Sequence, residues 1–181
     1  AIISGLILNL TKRKLDWKMK KILITTGGSG GHVIPSLSIY DILKDDFELH
    51  IATDLRGSKY IDNTKYNYSL IDVPNLFSNL LLLPYNLIIF CISIIESYKY
   101  IKLNNFNILI STGGYMSLPL CLASKLLNIK IYIFEPNSVL GRTNKLMLNF
   151  AEKIICYENN LKGISKKFSN KIYLVKPLLR K

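Results

Sequence analysis

The sequence predicts a doubly wound α/β domain built on a parallel sheet, on three observations. Short β-branched runs alternate with longer helical stretches from Lys20 onward. Most of the runs are continuously apolar, as strands covered on both faces require. At 181 residues the chain has the size of one ordinary domain, with an apolar fraction of 49% that can fill a core.

The elements follow in order. KKILITT (20–26) reads as the first strand, then a glycine loop and a helix over 33–43. FELHIAT (47–53) is the second strand and YSLIDV (68–73) the third, followed by a long apolar helix over 80–102. FNILIST (106–112) is the fourth strand, with a helix over 117–127; KIYIFE (130–135) is the fifth, with a helix over 144–150. KIICY (153–157) and KIYLV (171–175) close the series. Residues 1–18, an apolar piece followed by a basic one, are expected outside the folded domain, with a membrane-surface anchor as the alternative. The chain stops at Lys181 just after a strand with no helix to cover it, which reads as a cut.

Composition excludes several classes. Cys91, Cys121 and Cys156 lie in apolar stretches without a C-x-x-C spacing, so they read as buried free thiols rather than a disulfide or zinc framework. Lys and Arg outnumber Asp and Glu by 24 to 12, a net charge of +12 that attracts polyanions such as nucleic acid, anionic lipid or phosphorylated substrates. The charges are scattered and no nucleic-acid motif appears, so a nucleic-acid partner is not expected. Pro84, Asn86 and Ser93 interrupt the 80–102 helix and Glu96 bounds it, against a bilayer span. The helix is apolar on most faces beside Lys99 and Lys102, so it suits core packing or contact with lipid.

Chemistry gathers at the carboxyl ends of strands one, four and five, where ligands of such sheets bind. Thr26-Gly27-Gly28-Ser29-Gly30-Gly31-His32 follows strand one and opens a helix. Its glycines let backbone approach a ligand, and the Ser29, Gly30 and Gly31 amides at a helix start favour an anion. The alternative is a tight turn with no ligand. The helix dipole disfavours the imidazolium form of His32, and a neutral ring can accept a proton from an attacking hydroxyl; the alternative is a ring that caps or packs the turn. His50, on an alternating strand, reads as structural. A second loop, Thr112-Gly113-Gly114-Tyr115, follows strand four, and two such loops at one sheet edge can line one crevice. After strand five, Glu135 and Asn137 add a carboxylate and an amide at the same edge. Glu135 is a second catalytic candidate that competes with His32 for the base role, and turn stabilisation is the alternative for both.

These residues resemble a known family. GGSGGHVIP (27–35) is similar to the first glycine motif of the MurG family, GGTGGHVFP; GGYMSLP (113–119) is similar to its GGYVSGP; FEPNSVLGRTNK (134–145) is similar to its HEQNAVPGLTNK. The resemblance runs in order and spacing over 19–181. It implies a GT-B fold of two Rossmann-like domains, of which this chain holds the N-terminal one, with the donor domain absent. It also implies inverting transfer of N-acetylglucosamine from UDP-N-acetylglucosamine to the muramyl 4-hydroxyl of lipid I, giving lipid II for peptidoglycan. The site would sit at the cytoplasmic face of the membrane, bound peripherally to an anionic surface, with other cell-wall synthesis proteins as partners.

Residue by residue, Ser29, Gly30 and Gly31 match the family's donor-contacting TGG, and His32 its essential histidine. Asn137 matches its donor-contacting asparagine and Glu135 its glutamate; Gly113, Gly114 and Tyr115 fall on the second motif as substrate-binding positions. VKPLLR (175–180) resembles VGNPVR and puts Arg180 on a donor-contacting arginine, without the Gly-Asn and with the proline shifted by one. FEPN for HEQN and Leu118 for glycine are further departures. No D-x-D motif occurs, which agrees with a transferase that uses no metal or other cofactor. A different class fits the same residues: a non-catalytic subunit that anchors to membrane and binds acceptor, partnered by a separate donor subunit, as in the two-subunit dolichol-linked enzyme of eukaryotes.

Overall fold

The computed structural model describes residues 20–73, 82–158 and 161–177. Seven parallel strands form one sheet in the order β3-β2-β1-β4-β5-β6-β7. The strands are β1 (Lys21–Thr25), β2 (Glu48–Thr53), β3 (Tyr68–Leu70), β4 (Ile108–Ser111), β5 (Lys130–Glu135), β6 (Ala151–Cys156) and β7 (Ile172–Leu174). The helices are α1 (Gly30–Leu43), α2 (Leu55–Ser58), α3 (Leu83–Leu103), α4 (Ser117–Leu126) and α5 (Arg142–Met147), and a 3-10 turn, Lys166–Lys171, leads into β7. Residues 1–18, the first residues of the expected 80–102 helix and Arg180 lie outside the described residues.

Successive residues of each strand point to opposite faces, and both faces are covered. Ile22, Ile24, Ile51, Ile110, Tyr132 and Phe134 pack with Val33, Leu37 and Leu43 of α1. Leu23, Leu109, Ile131 and Ile133 pack on the other side with Ile101 of α3, Leu120, Cys121 and Ala123 of α4, and Met147 of α5. That two-sided cover is why β1, β4 and β5 show continuous apolar runs, whereas β2 alternates over Glu48–Ile51.

The chain leaves β1 toward β2 and β3, then returns to place β4 on the other side of β1. Connections from β1 and β4 therefore diverge, opening a crevice between their carboxyl ends. Both glycine loops leave the sheet at this point.

Several expectations change. The first helix begins at Gly30 rather than 33, because the His32 and Val33 amides already donate to the Ser29 carbonyl at 3.0 and 3.2 Å. Helix α2 and the 3-10 turn lie outside the expected elements; with four and six residues, each is too short for a periodic pattern. Cys121 and Cys156 are buried as expected, but Cys91 is exposed. It sits on α3, whose burial runs opposite to its composition. Asn86, Ser93, Ser97 and Ile101 face inward, while Tyr85, Ile88, Ile92 and Ile95 are 61%, 62%, 46% and 55% exposed. Helix α3 packs on α4, and small polar side chains on its inner face permit a close approach. Among the described residues no helix is long and apolar enough to cross a membrane.

Candidate functional site

The two glycine loops touch through their backbones. Gly113 and Gly114 hold φ of +101° and +90°, in the left-handed region that favours glycine. A Cβ on Gly114 would lie 2.6 Å from the Gly27 carbonyl oxygen and 3.0 Å from the Gly27 nitrogen. No side chain fits there, so glycine at 114 is required for the loops to meet. Beneath them, Thr25 Oγ1 donates to Ser117 Oγ at 3.1 Å and Ser117 Oγ to the Gly113 carbonyl at 2.9 Å, tying β1 to the start of α4.

His32, in the first turn of α1, crosses from one loop to the other. Its Nδ1 lies 2.9 Å from the Thr112 carbonyl oxygen, 80 residues away in sequence. A carbonyl oxygen only accepts, so Nδ1 carries the hydrogen and the neutral ring keeps its lone pair on Nε2. The ring lies against the second loop: a Cβ on Gly113 would sit 3.0 Å from both Cε1 and Nδ1.

The amides of the first loop are already divided. Gly28 N donates to Asp54 Oδ1 at 2.9 Å, and Ser29 N donates to the Gly27 carbonyl at 3.2 Å. The Ser29 amide, expected as an anion donor, is thus spent inside the loop. The Gly30 and Gly31 amides, at the start of α1, have no partner among the described residues, the usual state of a helix's first N–H groups. The Ser29 side chain makes no capping bond and is exposed.

Glu135 ends β5 fully buried. Its Oε1 accepts from Asn137 N at 3.3 Å and Asn137 Nδ2 at 2.9 Å; its Oε2 accepts from Gly141 N at 2.8 Å and Asn144 Nδ2 at 3.0 Å. Every partner is an N–H donor, and together they fold residues 135–144 around the carboxylate. This is the turn-stabilising alternative. Asn137 takes part through its side-chain nitrogen and is exposed, at the rim. Asn144 reaches further, its Oδ1 lying 3.5 Å from Ser111 Oγ at the end of β4, and its Nδ2 facing Gly113. Tyr115 is half-buried, its ring 6.2 Å from that of Phe90 on α3, so the second loop borders the α3 surface.

The structure thus brings His32 of the first loop against Gly113 of the second and Gly27 against Gly114, with Gly30 and Gly31 opening the helix that carries His32. Ser29 and Asn137 are exposed, Tyr115 is next to Gly114, and Glu135 is joined to Gly113 through Asn144. Asp54 was missed. It caps α2 through Gly57 N at 2.8 Å while holding Gly28 N, and Arg56 donates to its other oxygen through Nε and Nη2. Burial by itself would raise the Asp54 carboxyl, but the two amides and the Arg56 guanidinium outweigh it and hold it below the usual carboxylate range. The available signal was an Asp directly after strand two with a glycine three residues on, a helix-capping pattern.

Known proteins resemble this chain in sequence and in fold. Residues 22–156 match the glycosyltransferase family 28 N-terminal domain. A Pelagibacter ubique protein named UDP-N-acetylglucosamine–N-acetylmuramyl-(pentapeptide) pyrophosphoryl-undecaprenol N-acetylglucosamine transferase is 49% identical over 90% of this chain and 46% of its own length. A Rickettsia typhi protein of the same name is 35% identical over 90% of this chain and 42% of its own. The chain therefore spans about half the length of these relatives. The crystal structure of Acinetobacter baumannii MurG superposes with a TM-score of 0.72 at 21% identity, over 90% of this chain and 47% of that one. The fold is that of the N-terminal half of a GT-B glycosyltransferase, and the chain belongs to the glycosyltransferase family 28 N-terminal domain family.

Proposed function

We propose that this chain forms the acceptor- and membrane-facing half of an inverting transferase, which moves N-acetylglucosamine from UDP-N-acetylglucosamine to lipid I to give lipid II. The observation that carries the reading is the 2.9 Å contact of His32 Nδ1 with the Thr112 carbonyl, which in the neutral ring places the hydrogen on Nδ1 and leaves Nε2 as acceptor. In the reaction the muramyl 4-hydroxyl attacks the anomeric carbon, its proton passing to His32 Nε2. The bond from that carbon to the diphosphate oxygen breaks on the opposite face, and UDP departs with the electron pair. The leaving diphosphate gains negative charge, which amide donors stabilise; Gly30 and Gly31 supply them here. Gly113, Gly114 and Tyr115 shape the acceptor side of the crevice. Ser29, Asn137 and Arg180 take donor contacts by analogy with the family. Glu135 is a positioning residue in this scheme, since all of its acceptor capacity is directed into its own turn.

The curated relatives are single chains about twice as long as this one, which favours an enzyme half over a separate anchoring subunit. The exposed apolar row Tyr85, Ile88, Ile92 and Ile95 on α3, together with a net charge of +12, suits a peripheral seat on an anionic membrane surface. Tyr115 links that surface to the site through Phe90.

The test is His32→Ala in the full-length protein with UDP-N-acetylglucosamine and a lipid I analogue. Loss of a general base should lower kcat roughly 10²-fold or more, with Tm changed by no more than about 2 °C for a half-exposed side chain. Near-wild-type kcat removes His32 from the base role.

A further inference from the structure

Arg56 stands outside every motif, yet it lies against the first glycine loop. A Cβ built on Gly28, whose φ is +83°, would sit 3.6 Å from Arg56 Nη2. The guanidinium therefore occupies the side of the loop that a side chain at position 28 would fill. Its placement is fixed by Asp54, whose Oδ2 accepts from Nε at 3.1 Å and Nη2 at 3.0 Å. The same carboxylate fixes the loop, because Oδ1 accepts from Gly28 N across 26 residues of sequence. Loop and guanidinium are thus referenced to one group.

An exposed ion pair two residues apart is ordinarily worth little. Two features set this one apart: Asp54 is only 14% exposed while Arg56 is 73% exposed, and the partner of the pair is the glycine loop itself. Guanidinium carries five N–H donors; those not spent on Asp54 make no hydrogen bond among the described residues. The pair is neutral overall, so its contribution is oriented donors rather than net charge. A fixed guanidinium fork beside backbone amides suits the paired oxygens of a diphosphate.

We propose that Arg56, held by Asp54, is a diphosphate-binding residue that contacts the non-bridging oxygens of a diphosphate seated on the 27–31 loop. This rests on reading the glycine loops as the substrate site. Donor and acceptor of the proposed reaction both carry a diphosphate, and the experiment separates them.

In the full-length protein, Arg56→Ala and Arg56→Lys are compared with wild type in KM for UDP-N-acetylglucosamine, KM for a lipid I analogue, and affinity for inorganic pyrophosphate by calorimetry. Arg56→Ala should weaken pyrophosphate binding and raise one KM by roughly tenfold, the scale of a charge-assisted hydrogen bond, with Tm within about 2 °C of wild type. Arg56→Lys should recover only part of this, since an ammonium cannot reproduce the fork. A rise confined to the donor KM assigns the uridine diphosphate; one confined to the acceptor KM assigns the lipid diphosphate. Unchanged values for both substrates and for pyrophosphate overturn the assignment, as does a loss that tracks a fall in Tm. If wild type turns over neither substrate, the transferase reading fails and Arg56 is judged on pyrophosphate alone. In that case, failure of wild type to bind pyrophosphate overturns the assignment too.

Discussion

Replacing Glu135 by Gln separates a base from an anchor with the loss of one oxygen. The buried carboxylate receives four N–H donors, two on each oxygen. In either amide orientation glutamine presents an NH₂ to two of those donors and satisfies neither. If the NH₂ replaces Oε2, the Gly141 and Asn144 donors lose their acceptor; if it replaces Oε1, both donors of Asn137 lose theirs. A buried donor left without a partner costs about 1–3 kcal/mol. Two of them, with partial relief because Asn137 lies at the rim, sum to about 3 kcal/mol. For a domain of this size each kcal/mol lowers Tm by about 2–4 °C, so the expected fall is about 6–12 °C. Thermal unfolding followed by far-UV circular dichroism measures it, and kcat is read well below the new Tm. An anchor predicts a large fall in Tm with kcat reduced only as far as the 135–144 turn loosens. A Tm within about 2 °C of wild type, with turnover abolished, would refute the argument and move the base role to Glu135.

His50 and α3 give two further tests. Burial is the main cause holding the His50 pKa below its ordinary value; Glu48 opposes it and Lys21 adds to it, while Nε2 bonds Ser69 Oγ at 2.9 Å. The unfolded chain therefore takes up the proton first, so stability present above about pH 6.5 should be lost as pH falls toward 5. Tm measured across that range should decline, and His50→Asn should flatten the decline; an unchanged slope refutes it. On α3, Ile88→Asp with Ile92→Asp places charge on an exposed apolar row. Flotation with phosphatidylglycerol vesicles should drop several-fold while Tm stays within about 2 °C, because neither side chain is in the core; undiminished flotation removes this face from the membrane contact.

The parallel sheet was legible because its central strands carry continuous apolar runs, and a two-sided core is the reason they do. Ile22, Leu23 and Ile24 point alternately into the two layers and all are fully buried. The glycine loops were legible from composition, and the Glu135 turn could have been read locally, since its donors lie within nine residues. Two things were not. The orientation of α3 depends on α4: an apolar count cannot reveal that Ser93 and Ser97 would face inward and leave Ile88 and Cys91 outside. The Asp54 contact with Gly28 joins positions 26 residues apart, with no spacing to announce it.

The His32 contact lies beyond sequence reading for a similar reason, and it shows what the sheet contributes to the chemistry. The Thr112 carbonyl that fixes the ring lies one residue past β4, and Thr112 N is itself bonded to the Thr25 carbonyl at 3.0 Å, at the end of β1. Register between β1 and β4 thus sets the height of the oxygen that orients the imidazole. Strand β1 also leads into the loop from which His32 rises, so both ends of the contact are referenced to one strand pair. Gly113 and Gly114 are needed at the same place: the ring packs on the first, and the second lets the Gly27 backbone close in. A side chain at 113 would press on the ring itself, and one at 114 would part the loops; either would move Nδ1 off the carbonyl. The tautomer that leaves Nε2 as acceptor is therefore a property of the β1–β4 junction as much as of His32.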